Sequence, residues 1–299
     1  MINKCQICYS DNSRVIYTGL VRDGGFGSFA DGKKNVYECL GCGVYRLDEN
    51  ACKNEDLYTG VGYRELLSEP TTSEGFIEFH DSSQVQKLNI LWPDSVRNKV
   101  IGDIGCAGGS FLDHLAGVAE SIIAVEPCKV YHKHLESKGY EVFSSVAEAI
   151  DSQKMRLDYV FCFSVIEHVL DPVNFIQELS GLVKPGGTIF LSTPNRNDIL
   201  LTILGEHFQS FFYRTVHRWY FDIESFIFCA NKAGLIIEES KCVHNFGLSN
   251  VVLWLKDMRP PGNANIPPLD DDQLNSWWKK YLENKKLGDY LYFKLRTHS

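Results

Sequence analysis

An α/β fold is predicted for this chain: a doubly wound, mostly parallel sheet of seven strands, preceded by a small cysteine-bearing module. Three observations predict it. From Lys99 onward, short apolar runs alternate with stretches of helical spacing, the pattern of a parallel sheet covered on both faces. The first run, Val100-Ile101-Gly102-Asp103, passes into a glycine-dense turn (Gly105, Ala107, Gly108, Gly109) and then a helical pattern (Phe111, Leu112, Leu115, Ala116). Ahead of both, Cys5-Gln-Ile-Cys8 and Cys39-Leu-Gly-Cys42 pair four cysteines in two C-x-x-C knuckles.

The knuckles come first in the chain. Each can aim two thiolates at one ion, and together they complete a tetrahedral Zn²⁺ site with Cys5, Cys8, Cys39 and Cys42 as ligands. Gly41 and Gly43 suit the tight turn at the second knuckle, and the residues between the knuckles are strand-like. A structural zinc ribbon over residues 1–52 is therefore expected. The other six cysteines are scattered singly and read as small core fillers.

Residues 53–98 read as a linker with lid-forming helices. Tyr58 and Tyr63 precede a loop from Ser68 to Glu74, and Val85, Leu88 and Leu91 form a helical stripe. The two tyrosines either form a lid over a site or cover the ribbon junction.

The sheet domain is expected over 99–299. Its second strand, Ser121–Val125, ends in Glu126, and the helix after it carries His132 and His134, both assigned to solvent. Short strand Glu141–Phe143 ends in Ser144-Ser145, and Leu157–Phe163 is a buried fourth strand. Asp171-Pro172 is an N-cap followed by a first-turn proline, and Phe175, Ile176, Leu179 and Val183 face the core until Lys184-Pro-Gly-Gly187 stops that helix. Thr188–Ser192 is the fifth strand and Leu235–Val243 the sixth. Residues 245–287, with helices over Asn250–Met258 and Asp270–Leu282, read as an insertion before a last strand, Asp289–Leu295.

Composition narrows the partners. With 299 residues, 44% hydrophobic and 23% charged, the chain supports one large globular domain plus appendages. A net charge of −8 argues against a nucleic-acid surface, which requires a basic face. MINKCQICYS lacks an apolar signal region and no apolar run reaches membrane-spanning length, so a reduced, cytoplasmic chain is expected.

The glycine turn admits two readings. The dinucleotide fingerprint would place its third glycine at Ser110, and its acid belongs at the end of the second strand alone. Here Asp103 puts a carboxylate at the end of the first strand as well, where a cationic amine is welcome. Glu126 follows it by 23 residues, near the spacing at which a carboxylate meets a ribose diol.

Asp103 with its glycine turn, Glu126, VIEHVLDP and LVKPGGTIFLSTPN together resemble the class I S-adenosylmethionine (SAM) methyltransferases over residues 85–295, in their small-molecule branch. The turn departs from that family's D-x-G-x-G-x-G form at Ala107. The ribbon is similar to that of zinc-bearing methyltransferases of sugar and natural-product pathways.

The resemblance implies a Rossmann-like fold and a SAM site. Gly105, Cys106, Ala107 and Gly109 would admit the methionine part, Asp103 its ammonium, Glu126 and Pro127 the ribose, and Ser144 or Ser145 the adenine edge. Phe163, Ser164 and the lid residue Tyr63 would face the methionine part or the methyl group. His168 would be a general base, with an unperturbed pKa near neutrality. A metal-dependent subset uses E-x-x-E-H and a later histidine. Glu167, His168 and His217 match it, while Ser164 replaces the first glutamate, which weakens a Mg²⁺ site. The expected acceptor is a sugar, sugar-nucleotide or hydroxylated intermediate. An RNA end or protein side chain, with the ribbon as docking module, and a scaffold that binds no SAM are the alternatives.

Overall fold

The computed structural model describes residues 4–90, 95–152 and 157–297. The strands are β1 (Ser13–Gly19), β2 (Lys34–Cys39), β3 (Tyr45–Leu47), β4 (Val100–Ile104), β5 (Ser121–Val125), β6 (Glu141–Phe143), β7 (Leu157–Phe163), β8 (Val183–Pro194), β9 (Trp219–Tyr220), β10 (Leu235–Val243) and β11 (Tyr290–Thr297). The helices are α1 (Gly62–Leu67), α2 (Ser73–Ile90), α3 (Ser110–Asp113), α4 (His132–Ser137), α5 (Val146–Asp151), α6 (Pro172–Leu182), α7 (Ile199–Leu204), α8 (Glu206–Phe212), α9 (Ile223–Lys232), α10 (Leu248–Asp257) and α11 (Asp272–Asn284).

The large sheet has the order β10-β11-β8-β7-β4-β5-β6. Strand β4 pairs in parallel with β5 on one side and β7 on the other, and β5 with β6. The chain therefore leaves β4 in one direction along the sheet and later returns to its other side. That reversal opens a crevice at the carboxyl end of β4, where α/β folds bind ligands. The near-continuous apolar runs of β5 and β7 follow from burial on both faces. Phe161 stacks on Phe190 at 5.3 Å and meets Phe111 edge-on at 5.0 Å, which locks α3 and β8 against the strand between them.

The chain divides into two compact units. The sheet unit comprises Lys53–Leu191, Ala230–Glu238 and Lys294–Ser299; the ribbon unit comprises Met1–Cys52, Ser192–Cys229 and Glu239–Phe293. In the ribbon unit, β1, β2, β3 and β9 form an antiparallel sheet, so Tyr45 and Arg46 pair with Tyr220 and Trp219 far along the chain. Tyr17, Val36, Leu47, Tyr213 and Tyr220 form its core. The segment expected as an insertion packs there too: Val251 and Trp254 of α10 join Leu200, Leu204 and Phe208 of α7 and α8.

Several local expectations shift. The helix after the glycine turn is only one turn, because the chain from His114 continues as turns with Leu115 still buried. Val183 opens β8 rather than closing α6, and Lys184-Pro-Gly-Gly187 lies within the strand; Gly186 accommodates a positive φ of 76° there. Helix α2 begins at Ser73, inside the expected loop, and Val85 on its stripe is exposed. Leu91 lies outside the described residues. His132 is not a solvated residue: its Nε2 lies 2.6 Å from the Glu126 carbonyl oxygen, and His134 is half-buried. Among the described residues no helix is long and apolar enough to cross a membrane.

Candidate active site

The glycine turn is built by residues that tolerate its backbone. Gly105 and Gly109 have φ of 76° and 80°, and a Cβ added to them would lie 2.7 Å from Val165 Cγ2 and 2.6 Å from Leu135 Cδ2. Ala107, also left-handed at φ 47°, is held by the Glu126 carboxylate, whose Oε2 accepts its N–H at 2.7 Å. The other oxygen, Oε1, accepts from Cys128 N–H at 2.8 Å. Glu126 thus leaves β5 and spans the mouths of two loops. Burial pushes its carboxyl up, and those two amides hold it partly down. Cys106 is buried in the turn and Pro127 is half-buried beside Glu126.

Asp103, next to last in β4, is buried. Burial pushes its carboxyl up to about 7, opposed by the Lys87 ammonium and reinforced by Glu126. Lys87, from α2, is brought down to about 8 by burial, opposed chiefly by Asp103. Its Nζ donates to Gln84 Oε1 at 2.8 Å and lies 5.0 Å from the Phe163 ring centroid. Sequence reasoning missed Lys87. Its only signal was one cation near the end of α2, between Gln86 and Leu88.

Helix α2 reaches the turn because Gly108 has no side chain: a Cβ there would sit 3.0 Å from Phe76 Cδ1. Arg64 lies over the Phe76 ring at 4.8 Å and pairs with Glu69 at 2.6 Å, whose same oxygen meets His80 Nε2 at 3.2 Å. Ser110 Oγ and His114 converge on Asp81 at 2.7 and 3.0 Å. The Ser110 and His114 contacts fix α2 to the start of α3.

At the end of β7, Ser164 adopts a positive φ of 57°, an unusual conformation for a non-glycine residue. Glu167 is buried and His168 half-buried, with the His168 N–H bonded to Val165 O at 2.9 Å. Tyr58 and Tyr63 reach this loop: their rings are 5.4 and 5.7 Å from His168, and the Tyr58 hydroxyl is 3.0 Å from its Nδ1. His217 belongs to the ribbon unit, where it is buried 6.0 Å from the Tyr220 ring. On the sheet unit the metal-binding pattern offers one carboxylate, Glu167, because Ser164 replaces the other; this donor set suits a hard divalent ion poorly. Ser145 Oγ caps α5 through Glu148 N–H at 3.1 Å, and Ser144 N–H donates to Glu148 Oε2 at 2.7 Å.

In the ribbon unit the four knuckle sulfurs lie within 4.8 Å of one another, with Cys5–Cys42 at 3.7 Å and Cys8–Cys39 at 3.3 Å. A tetrahedron of about 2.3 Å Zn–S bonds has S–S edges of roughly 3.8 Å, so the set fits such an ion. The hydrogen bond from Cys42 brings Cys5 down to about 5, while burial pushes Cys8 up to about 11.

Residues 79–240 match the family model described as a methyltransferase domain. The chain belongs to the class I SAM-dependent methyltransferases. The match includes the Asp103 turn, Glu126 and the His168 loop, which decides the glycine turn in favour of SAM over a dinucleotide.

The methyltransferase chain is 34% identical over 145 residues to the ubiquinone biosynthesis O-methyltransferase of Leptothrix cholodnii, covering 44% of this chain and 62% of that protein. It is 29% identical over 220 residues to the protein of the same name from Aeromonas salmonicida, covering 67% and 90%. The chain thus spans about 62% of the length of the first curated relatives it matches. In fold it is similar to a chain of the complex between the Haloferax volcanii Trm112 methyltransferase activator and a methyltransferase. That likeness has a TM-score of 0.50 at 12% identity, covering 76% of this chain and 94% of the other.

Proposed function

We propose that this methyltransferase moves the methyl group of SAM to a hydroxyl of a small polar acceptor, a sugar, sugar-nucleotide or hydroxylated pathway intermediate. The observation that carries this reading is Asp103, buried near the end of β4 beside the glycine turn, with the half-buried Lys87 of α2 close enough to oppose the rise in its pKa. The amino-acid end of the cofactor is a zwitterion. Asp103 suits its ammonium, and Lys87 suits its carboxylate. Gly105, Cys106, Ala107 and Gly109 offer bare backbone beside them, with Phe163, Ser164 and Tyr63 nearest the methyl-bearing end. An ionised carboxylate has about four acceptor sites, so Glu126 keeps capacity for ribose hydroxyls after accepting its two amides. Pro127 and the Ser144–Ser145 loop would complete the nucleoside side.

When bound, the cofactor supplies a methyl group already activated by its sulfonium. The chain's part is to align the acceptor and to take its proton, a role this reading gives to His168. The O-methyltransferase names of the relatives support oxygen as the acceptor atom. Cys5, Cys8, Cys39 and Cys42 would hold one structural Zn²⁺, with every ligand position filled by protein. A cytoplasmic location follows from the reduced-thiol reading of the cysteines.

The test is release of S-adenosylhomocysteine from SAM in the presence of a panel of hydroxylated acceptors. Release that depends on one acceptor class supports the reading. Release with amine acceptors alone would overturn O-methylation while leaving the cofactor assignment intact.

A further inference from the structure

The loop Ser164–Asp171 presents His168, and the hydrogen bond that decides its chemistry comes from elsewhere in the sheet unit. Tyr58 closes a short 3₁₀ turn, Glu55–Tyr58, whose last residues feed α1. Its hydroxyl lies 3.0 Å from His168 Nδ1. The Tyr58 ring also meets Tyr63 at 5.1 Å, and both rings stand edge-on to the imidazole. The histidine is therefore gripped at one nitrogen by a phenol and along its edge by two rings.

A neutral imidazole carries one N–H, and the ring nitrogen that is free to accept a proton is set by the bond the other nitrogen makes. A phenol oxygen can accept a hydrogen bond from Nδ1–H, or its O–H can donate to a bare Nδ1. The two arrangements have opposite consequences. In the second, the proton sits on Nε2 and that nitrogen can take nothing. In the first, Nε2 is bare.

We infer that Tyr58 is a positioning residue that accepts the Nδ1–H of His168, fixing the tautomer in which Nε2 is unprotonated. This rests on the reading of His168 as the proton acceptor. In this role Tyr58 acts through the histidine it contacts. A carboxylate in its place would hold the same tautomer but add a negative charge that strengthens the base; a neutral phenol orients the ring without that charge. The lid segment carrying Tyr58 is thus part of the catalytic arrangement and more than a cover.

The tautomer is read directly from ¹⁵N chemical shifts of histidine-labelled full-length chain, with the His168 signal assigned by its loss in His168→Gln among nine histidines. The expected result is a pyridine-like Nε2 and a pyrrole-like Nδ1 in the unaltered chain at pH 8. In Tyr58→Phe, which keeps the ring against Tyr63, these signals should move toward averaged or reversed positions. SAM affinity by calorimetry should stay within about twofold and the unfolding temperature should hold, which excludes a collapsed lid. A protonated Nε2 in the unaltered chain, or an unchanged tautomer in Tyr58→Phe, overturns the proposal. If instead the tautomer shifts as expected while His168→Gln retains full turnover, Tyr58 positions the ring and the base reading of His168 fails separately.

Discussion

The N–H of Ala107 donates to Glu126 Oε2 at 2.7 Å, and this bond holds a non-glycine residue at φ 47° in the cofactor turn. Left-handed backbone costs an L-residue with a Cβ about 1–2 kcal/mol, an expense the carboxylate offsets locally. Ala107→Gly should therefore keep SAM affinity and raise the unfolding free energy by up to about 1 kcal/mol, after the loss from a more flexible unfolded chain. Ala107→Val should lose about 2 kcal/mol or more. Denaturant titration compares the two; equal losses would show that the turn is not strained at this residue.

Glu126→Ala removes a buried acceptor from two amides at once, Ala107 and Cys128. A buried donor left unsatisfied costs about 1–3 kcal/mol. SAM affinity should fall by roughly 10-fold or more, together with a drop in unfolding temperature. Full affinity by calorimetry would remove Glu126 from the site.

Binding should depend on pH in a direction fixed by Asp103 and Lys87. The folded chain holds the Asp103 proton up to about 7 against an ordinary 3.8, more tightly than the unfolded chain does. This group's contribution to stability is therefore present below the ordinary value and is lost as pH rises through about 7. Cofactor binding runs the other way, because an ammonium needs the carboxylate. SAM affinity should climb as pH rises through about 7 and decline above about 8, where Lys87 loses its proton. Asp103→Asn should flatten the acidic side of that curve. A flat curve in the unaltered chain would separate these two groups from the cofactor.

The parts read from sequence were those whose cause is local. C-x-x-C knuckles, the Asp103 turn and the Asp171-Pro172 helix start each carry their geometry within a few residues, and each formed where expected. Lys87 was obscure, and Tyr58 was left between a lid and a junction cover, because the sequence does not say which loop the segments carrying them lie against. The same holds for β9, two residues that become a strand only by pairing with β3. His132 was misread for a related reason: a helical histidine looks solvated until a carbonyl such as that of Glu126 turns toward it. Pro-Gly-Gly at 185–187 signalled a stop, yet the strand runs through it, with Gly186 absorbing the irregular backbone.

His168→Ala should lower turnover by about 10²–10⁴-fold while SAM affinity is retained. A brief EDTA treatment that leaves zinc in place should not reduce turnover of the unaltered chain. Loss of activity on chelation, restored by Mg²⁺ and matched by His217→Ala, would instead assign Glu167, His168 and His217 to a divalent ion.

Elemental analysis should return about one zinc per chain. Cys39→Ser should release it and loosen β1–β3 together with β9, because that sheet hangs on the second knuckle through β2 and β3. A zinc-free chain with unaltered hydrogen-exchange protection in those strands would contradict a structural ion.

Calorimetric titration of SAM into the chain, alongside Lys87→Met and Asp103→Asn, bears most directly on the central claim that this pair receives the cofactor's zwitterionic end. The account predicts one site per chain, weakened by roughly 10–100-fold in each variant, as expected when a charged hydrogen-bonding partner is lost. Absence of binding to the unaltered chain, or equal affinity in both variants and the unaltered chain, would contradict it.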